Sequence, residues 1–204
     1  MFGTNCYVLS DDVSREAVII DASCYTQDEK KTLAAYISDN NLKVKYLLNT
    51  HFHLDHLLGA PFVYEHYGLN PEASRSELKL IEEAQGQALF FGIRLSERMP
   101  EAGTFLEDGD LIEFGGGRLR VIEIPGHSPC GLAYYWEEEA CLFSGDSLFC
   151  RSIGRTDLPG GSMRALREAL VNKVMTLPDD TVVWPGHGPE TTVGDEKKFN
   201  PFLS

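Results

Sequence analysis

The chain has 204 residues, 43% hydrophobic and 24% charged, enough for one well-buried domain and short for two. Its 18 Lys and Arg against 31 Asp and Glu give a net charge of −13, which repels nucleic-acid phosphates and anionic membranes at long range. Five cysteines without regular spacing make no disulfide framework, and the N-terminus lacks a basic or apolar leader. No apolar run reaches the length of a membrane span, so the expectation is a soluble cytoplasmic protein.

In chain order, Cys6 to Leu9 and Ala17 to Asp21 are β-rich runs around a polar turn at Asp11-Asp12, which predicts a hairpin. Tyr25 to Asn40 predicts an amphipathic helix, because Leu33, Tyr36 and Ile37 share a face at i, i+3, i+4. Tyr46 to Asn49 predicts a buried strand, and it feeds His51-Phe52-His53-Leu54-Asp55-His56. Half of the chain's six histidines lie in that run. A loop between the carboxyl end of a strand and a helix is where open α/β sheets bind ligands. Imidazole and carboxylate together suit zinc, iron or manganese.

A helix over Leu57 to Tyr67, ending near Gly68, is expected next. Asn70-Pro71 predicts a turn, and Glu72 to Ala88 a polar helix with Leu78, Ile81 and Ala84 on one side. Leu89 to Pro100 has no clear period. From Gly103 the texture becomes that of strands: Leu111 to Phe114, Leu119 to Ile124, Leu132 to Trp136 and Ala140 to Phe143. Gly115-Gly116-Gly117 lacks the following helix that a phosphate-cradling loop needs, and reads as a structural turn. Ser162 to Met175 predicts a helix with Ser162 as N-cap, Thr181 to Trp184 a last strand, and Asp195 to Lys198 a further helix. With no repeat, linker or low-complexity segment, the order of elements predicts one compact domain over 1–204 with two β-α halves.

Three more apolar strands end in a Gly-containing turn carrying a ligand-type residue. Val121-Ile122-Glu123-Ile124-Pro125-Gly126 delivers His127, Leu142-Phe143-Ser144-Gly145 delivers Asp146, and Val182-Val183-Trp184-Pro185-Gly186 delivers His187. With His51, His53, Asp55 and His56 these make seven candidates at four strand ends, a number that suits two ions with a carboxylate such as Asp146 bridging them. A lone histidine after a strand is ordinarily a surface residue, and an aspartate there ordinarily a turn former. Five of six histidines at turns of one texture outweigh that reading. His66, on a helix, is assigned to the surface. Cys6 and Cys141 read as packing residues. Cys24, Cys130 and Cys150 could approach the site, but with enough His and Asp ligands all five cysteines are read as non-ligands.

These residues resemble the metallo-β-lactamase superfamily: His51-Phe52-His53-Leu54-Asp55-His56, then His127, Asp146 and His187 in order. The resemblance runs from Asn5-Cys6-Tyr7-Val8-Leu9 and Ile19-Ile20-Asp21 to Asn200-Pro201-Phe202-Leu203. Gly154-Arg155-Thr156-Asp157 and Pro185-Gly186-His187-Gly188-Pro189, with Thr191-Thr192 and Gly194, are similar to the compact glyoxalase II-like (hydroxyacylglutathione hydrolase-like) hydrolases. The resemblance implies an α/β fold, a four-layer αβ/βα sandwich of two mixed β-sheets flanked by helices, with metals at the edge between the sheets. It implies two divalent ions, zinc foremost, with iron or manganese as alternatives. His51, His53 and His127 would hold the first and Asp55, His56 and His187 the second, with Asp146 bridging. Asp55 would also orient the hydrolytic water, Asp21 would support the ligand loop, and Arg155 and Asp157 would shape their loop as an internal ion pair.

The implied activity is hydrolysis of a small-molecule thioester, S-acylglutathione or similar, with no nucleic-acid or membrane partner. Only seventeen residues follow His187, so the glutathione-binding helical domain of classical glyoxalase II is expected to be absent. The alternative within the fold is a persulfide dioxygenase with one iron on His51, His127 and Asp146. A nuclease is disfavoured by the charge, and a diiron electron-transfer protein by His53, where those relatives carry Glu.

Overall fold

The computed structural model describes residues 2–95 and 97–203. β1 (Tyr7–Ser10) and β2 (Glu16–Ile20) form the expected antiparallel hairpin. β3 (Lys43–Leu48) joins β2 in parallel and β4 (Pro71–Glu72) joins β3 in parallel, giving a four-stranded sheet in the order β1-β2-β3-β4. The second sheet is built from β5 (Leu111–Phe114), β6 (Gly117–Ile124), β7 (Gly131–Trp136), β8 (Cys141–Gly145), β11 (Val182–Pro185) and β12 (Thr191–Thr192), in the order β12-β11-β8-β7-β6-β5. Its pairings are antiparallel except that β11 runs parallel to β8. β9 (Leu148–Phe149) and β10 (Ser152–Ile153) make a small separate hairpin.

The two-residue period of the strands sorts their side chains into three cores. In the first sheet, Val18, Ile20 and Leu48 pack against Leu119, Val121, Leu132 and Phe143 of the second, so the sheets stack face to face. Their neighbours Ile19 and Leu47 point the other way, onto Leu33 and Ile37 of α1 (Gln27–Asp39) and Val63 of α3 (Ala60–Tyr67). On the far side Ile122, Ile124 and Leu142 meet Leu166 and Ala169 of α6 (Met163–Ala169). Both sheets are covered on both faces, and the result is four layers, αβ/βα. Among the described residues no helix is long and apolar enough to cross a membrane.

Helix ends follow local chemistry. Thr26 and Glu29 form a capping box at the start of α1, and Ser162 caps α6 through Ala165 N–H as expected. α6 runs on into one π turn over Leu170–Val174. Asp195 to Lys198 lies within α7 (Val193–Phe199), capped by Thr192.

Two expectations are corrected. The helix over Leu57 to Tyr67 is two pieces, α2 (Leu54–Leu57) and α3, separated at Leu58-Gly59. Gly59 donates its N–H to Ala22 O at 2.8 Å, and a Cβ there would meet Cys24 Sγ at 2.5 Å. The close approach of two segments, not helix propensity, sets the break. The helix over Glu72 to Ala88 is also interrupted. Glu72 belongs to β4, where its carbonyl accepts from Asn49 N–H. After it come a 3-10 turn over Arg75–Glu77, α4 (Leu78–Glu82) and α5 (Ala84–Phe90). Ser74 caps the turn, and Glu77 faces inward with no exposed surface. α5 takes in Leu89 and Phe90, which open the stretch without a clear period.

Candidate metal centre

Seven side chains meet at the carboxyl ends of four strands. His51 and His53 lie on the loop after β3, and Asp55 and His56 on α2. His127 follows β6, Asp146 follows β8 and His187 follows β11. Ligand-type atoms of His51, His53 and His127 lie within 4.8 Å of one another. So do those of Asp55, His56 and His187, and those of His51, His56 and Asp146. Asp146 reaches both sides: Oδ1 is 3.4 Å from His56 Nε2, and Oδ2 is 3.6 Å from His127 Nε2 and 3.5 Å from His187 Nε2. Gly186 makes room for this, since a Cβ there would strike Asp146 Oδ1. Among the described residues no cysteine joins these clusters, and all five are free. Cys6 and Cys141 are half-buried against cores, Cys24 and Cys130 are buried, and Cys150 is exposed. His66 is exposed on α3.

The hydrogen bonds around the imidazoles fix which nitrogen carries the proton. Asp21 is buried, and Oδ2 accepts from Thr50 Oγ1 at 2.7 Å and faces His56 Nδ1 at 2.9 Å. Because the Thr50 hydroxyl gives its proton to Asp21, the 3.0 Å contact to His51 Nδ1 requires that nitrogen to donate. His127 Nδ1 donates to Arg155 O at 2.9 Å. In its neutral form each of the three rings therefore presents the lone pair of Nε2 to the cluster. His51 Nε2, His56 Nε2 and Asp146 Oδ1 are buried and have no hydrogen-bond partner. Orphaned acceptors of this kind, converging in one place, fit a bound cation.

The electrostatics agree. Burial and the neighbouring His56, His53 and His127 charges push the His51 pKa well below its ordinary value. Burial, with His127 beside it, brings His53 down to about 4. Burial opposes a charge on His56, but the Asp21 and Asp146 carboxylates outweigh it and raise its pKa. The hydrogen bond to Asp55 raises His187. Burial would raise both Asp55 and Asp146, yet His187 and His56 hold Asp55, and His56 holds Asp146, below the ordinary carboxylate range. Burial thus keeps His51 and His53 neutral, while His56 and His187 are drawn toward the charged form by the carboxylates they face, and a divalent cation in the cluster would take the place of those protons.

Arg155 and Asp157 pair with each other through two 2.7 Å hydrogen bonds, but their side chains are 62% and 68% exposed, so the pair lies on the surface and not inside the loop. It is Arg155's backbone carbonyl that touches the cluster. Phe52 is fully buried among the helix-layer residues, and Leu54 packs on Ala84 and Ala88 of α5.

Three supporting residues carry no sequence signal of their own. Glu77 accepts Phe52 N–H at 3.1 Å with one oxygen, and Ser128 O–H at 2.7 Å and Cys130 N–H at 2.8 Å with the other. It ties the His51–His56 loop to the His127 turn. Gln87 on α5 accepts Leu54 N–H at 3.1 Å. Thr4 donates to Asp55 Oδ2 at 3.0 Å and pairs by its backbone with His187.

Comparison with known proteins places this geometry. Hydroxyacylglutathione hydrolase GloC of Haemophilus influenzae is 34% identical over 204 residues, covering 100% of this chain and 94% of its own length. The human mitochondrial persulfide dioxygenase ETHE1 is 32% identical over 205 residues, 98% of this chain and 72% of its own. The solved structure of TTHA1623 in a di-iron-bound form matches with a TM-score of 0.86 and 36% identity, covering 98% of this chain and 95% of that one. A model of the metallo-β-lactamase superfamily matches residues 1–187, and with the four-layer fold and the strand-end His and Asp cluster it shows that this chain belongs to that superfamily.

Proposed function

We propose that the chain is a dinuclear hydrolase of thioesters, with zinc as its metal. His51, His53 and His127 would hold one ion and Asp55, His56 and His187 the other, with Asp146 reaching toward both triads. The observation that carries this is the convergence of partnerless, buried His51 Nε2, His56 Nε2 and Asp146 Oδ1 between the two triads. The likeness to a hydroxyacylglutathione hydrolase along the whole chain supports the substrate class. Ions in such a site supply Lewis acidity toward a carbonyl and bring the pKa of water near neutrality.

The chain's own residues do the rest. Asp55, held ionised by His187 and Thr4, is placed to accept a hydrogen bond from the attacking water. Asp21, Thr50 and Arg155 O lock three imidazoles in the tautomer that presents Nε2. A thiolate leaves readily, so no strong general acid is required. Burial pushes the Cys24 and Cys130 thiols up to about 11, which keeps them neutral and unsuited to nucleophilic attack.

The ETHE1 likeness favours one competing reading, a dioxygenase with a single iron on His51, His127 and Asp146. Elemental analysis of the purified protein, paired with S-lactoylglutathione turnover and with oxygen uptake on glutathione persulfide, separates the two. The hydrolase reading expects two ions per chain and thioester turnover. It also expects His53→Ala and His187→Ala to lower kcat by at least a hundredfold, whereas neither residue is a ligand in the one-iron reading. Full activity in both variants sinks the dinuclear assignment.

A further inference from the structure

A groove of about 770 Å³ opens directly beside Asp55, a volume in the range of small-molecule sites. It lies between the N-terminal segment, β1 and α1. Its walls include Val8, Leu33, Tyr36 and Leu58, and Thr4 and Asp55 form the end that adjoins the metal cluster. Among the described residues lining it there is no Lys, Arg or His, while Asp28 and Glu29 stand at its edge. The nearby cation Lys30 is committed elsewhere, 2.9 Å from Glu97. Glu29 is likewise occupied, accepting the N–H groups of Tyr25 and Thr26.

From this geometry we infer that the groove seats the acyl chain of the thioester, and that this chain is uncharged and apolar, larger than a short hydroxyacyl group. The inference rests on the thioesterase reading. Asp55 belongs both to the cluster and to the groove lining, so an arm of a thioester whose carbonyl lies at the cluster would enter the groove past Asp55. An arm bearing carboxylates, such as the glutathione moiety, would meet the Asp28 and Glu29 carboxylates there and no Lys, Arg or His side chain among the described residues lining the groove. A hydrocarbon arm meets aliphatic and aromatic walls and gains by leaving water.

The test uses the metal-loaded full chain with two probes. The first is kcat/KM for thioesters of the uncharged thiol N-acetylcysteamine carrying acetyl, hexanoyl or phenylacetyl groups, beside S-lactoylglutathione. The second is calorimetric binding of the non-hydrolysable thioether S-hexyl-N-acetylcysteamine. Hexanoyl and phenylacetyl esters are expected to exceed acetyl by at least tenfold. Tyr36→Glu, on an exposed wall residue, is expected to cut that ratio to below threefold and to weaken thioether binding at least fivefold, with circular dichroism and metal content confirming an intact fold. Turnover without a chain-length gain, or thioether binding indifferent to Tyr36→Glu, overturns the groove assignment and leaves the thioesterase reading standing. No turnover of any thioester, with thioether binding still weakened by Tyr36→Glu, removes the thioesterase reading and keeps the apolar site.

Discussion

Asp21 shows how much one buried side chain can determine. Its two oxygens take Thr50 N–H, Thr50 O–H and His56 Nδ1, and through Thr50 it also sets the His51 proton. Its backbone sits at φ 51°, in the left-handed region that aspartate tolerates better than most residues, so the strand end can turn and aim the carboxylate back under the ligand loop. Glu72 is the opposite case, a carboxyl with burial and no compensating charge, and its pKa is pushed up to about 7 from an ordinary 4.5. Between those values the folded chain keeps a proton that the unfolded chain releases. Stability from this group is therefore full below about pH 4.5, falls as pH rises toward 7 and stays lower above it. Partial exposure discounts the cost to about 1 kcal/mol. Glu72→Gln is expected to raise Tm by about 2–4 °C at pH 8 and by much less at pH 5. Equal shifts at both pH values in thermal unfolding would remove burial of the charge as the cause.

At the scale of elements, the ligand turns could be read from the sequence because each is a local unit: an apolar run, a glycine, then His or Asp. The same local logic gave α1, from the spacing of Leu33, Tyr36 and Ile37, and the hairpin of β1 and β2. It missed the break at Gly59, whose cause is contact with Ala22 and Cys24, more than thirty residues away. It also smoothed Glu72 to Ala88 into one helix, because nothing nearby marks Glu77 as a residue that turns inward to brace two ligand loops. Glu77 makes a testable brace. Glu77→Gln keeps the volume but leaves an NH₂ group facing Phe52 N–H or the Ser128 and Cys130 donors. A buried donor left against donors costs about 1–3 kcal/mol. Urea unfolding should show that loss, and under limiting metal the variant should lose the ion of the His51, His53 and His127 triad before the other. Unchanged stability and metal affinity would show that the two loops hold their places without this bridge.

Across the whole molecule, the ligand set is drawn from both sheets: His51, His53, Asp55 and His56 follow β3 of the first, and His127, Asp146 and His187 follow strands of the second. The sheets are joined by apolar packing, which is non-directional, and by a few hydrogen bonds such as Tyr7 O–H to Pro185 O and Tyr134 O–H to Asn49 O, and divalent ions held between the strand ends would add a further directional link. They would also place positive charge among the clustered carboxylates of a chain of net charge −13. Ions that bind only the folded chain stabilise it by mass action, about 4 kcal/mol when free metal is a thousandfold above Kd. For a chain of this length that is a Tm rise of about 8–16 °C. Calorimetry of metal-loaded protein against protein stripped with a chelator and dialysed free of it measures this directly, and re-addition of metal should restore the higher transition. The size of the effect depends on the ligands coming from both halves. His127→Ala, which removes a ligand from the second sheet, should therefore narrow the loaded-minus-stripped gap more than His53→Ala, whose loss leaves the first sheet with three other contributors. A gap that both variants narrow equally would mean that the ions stabilise the ligand loop alone and do not clamp the sheets together.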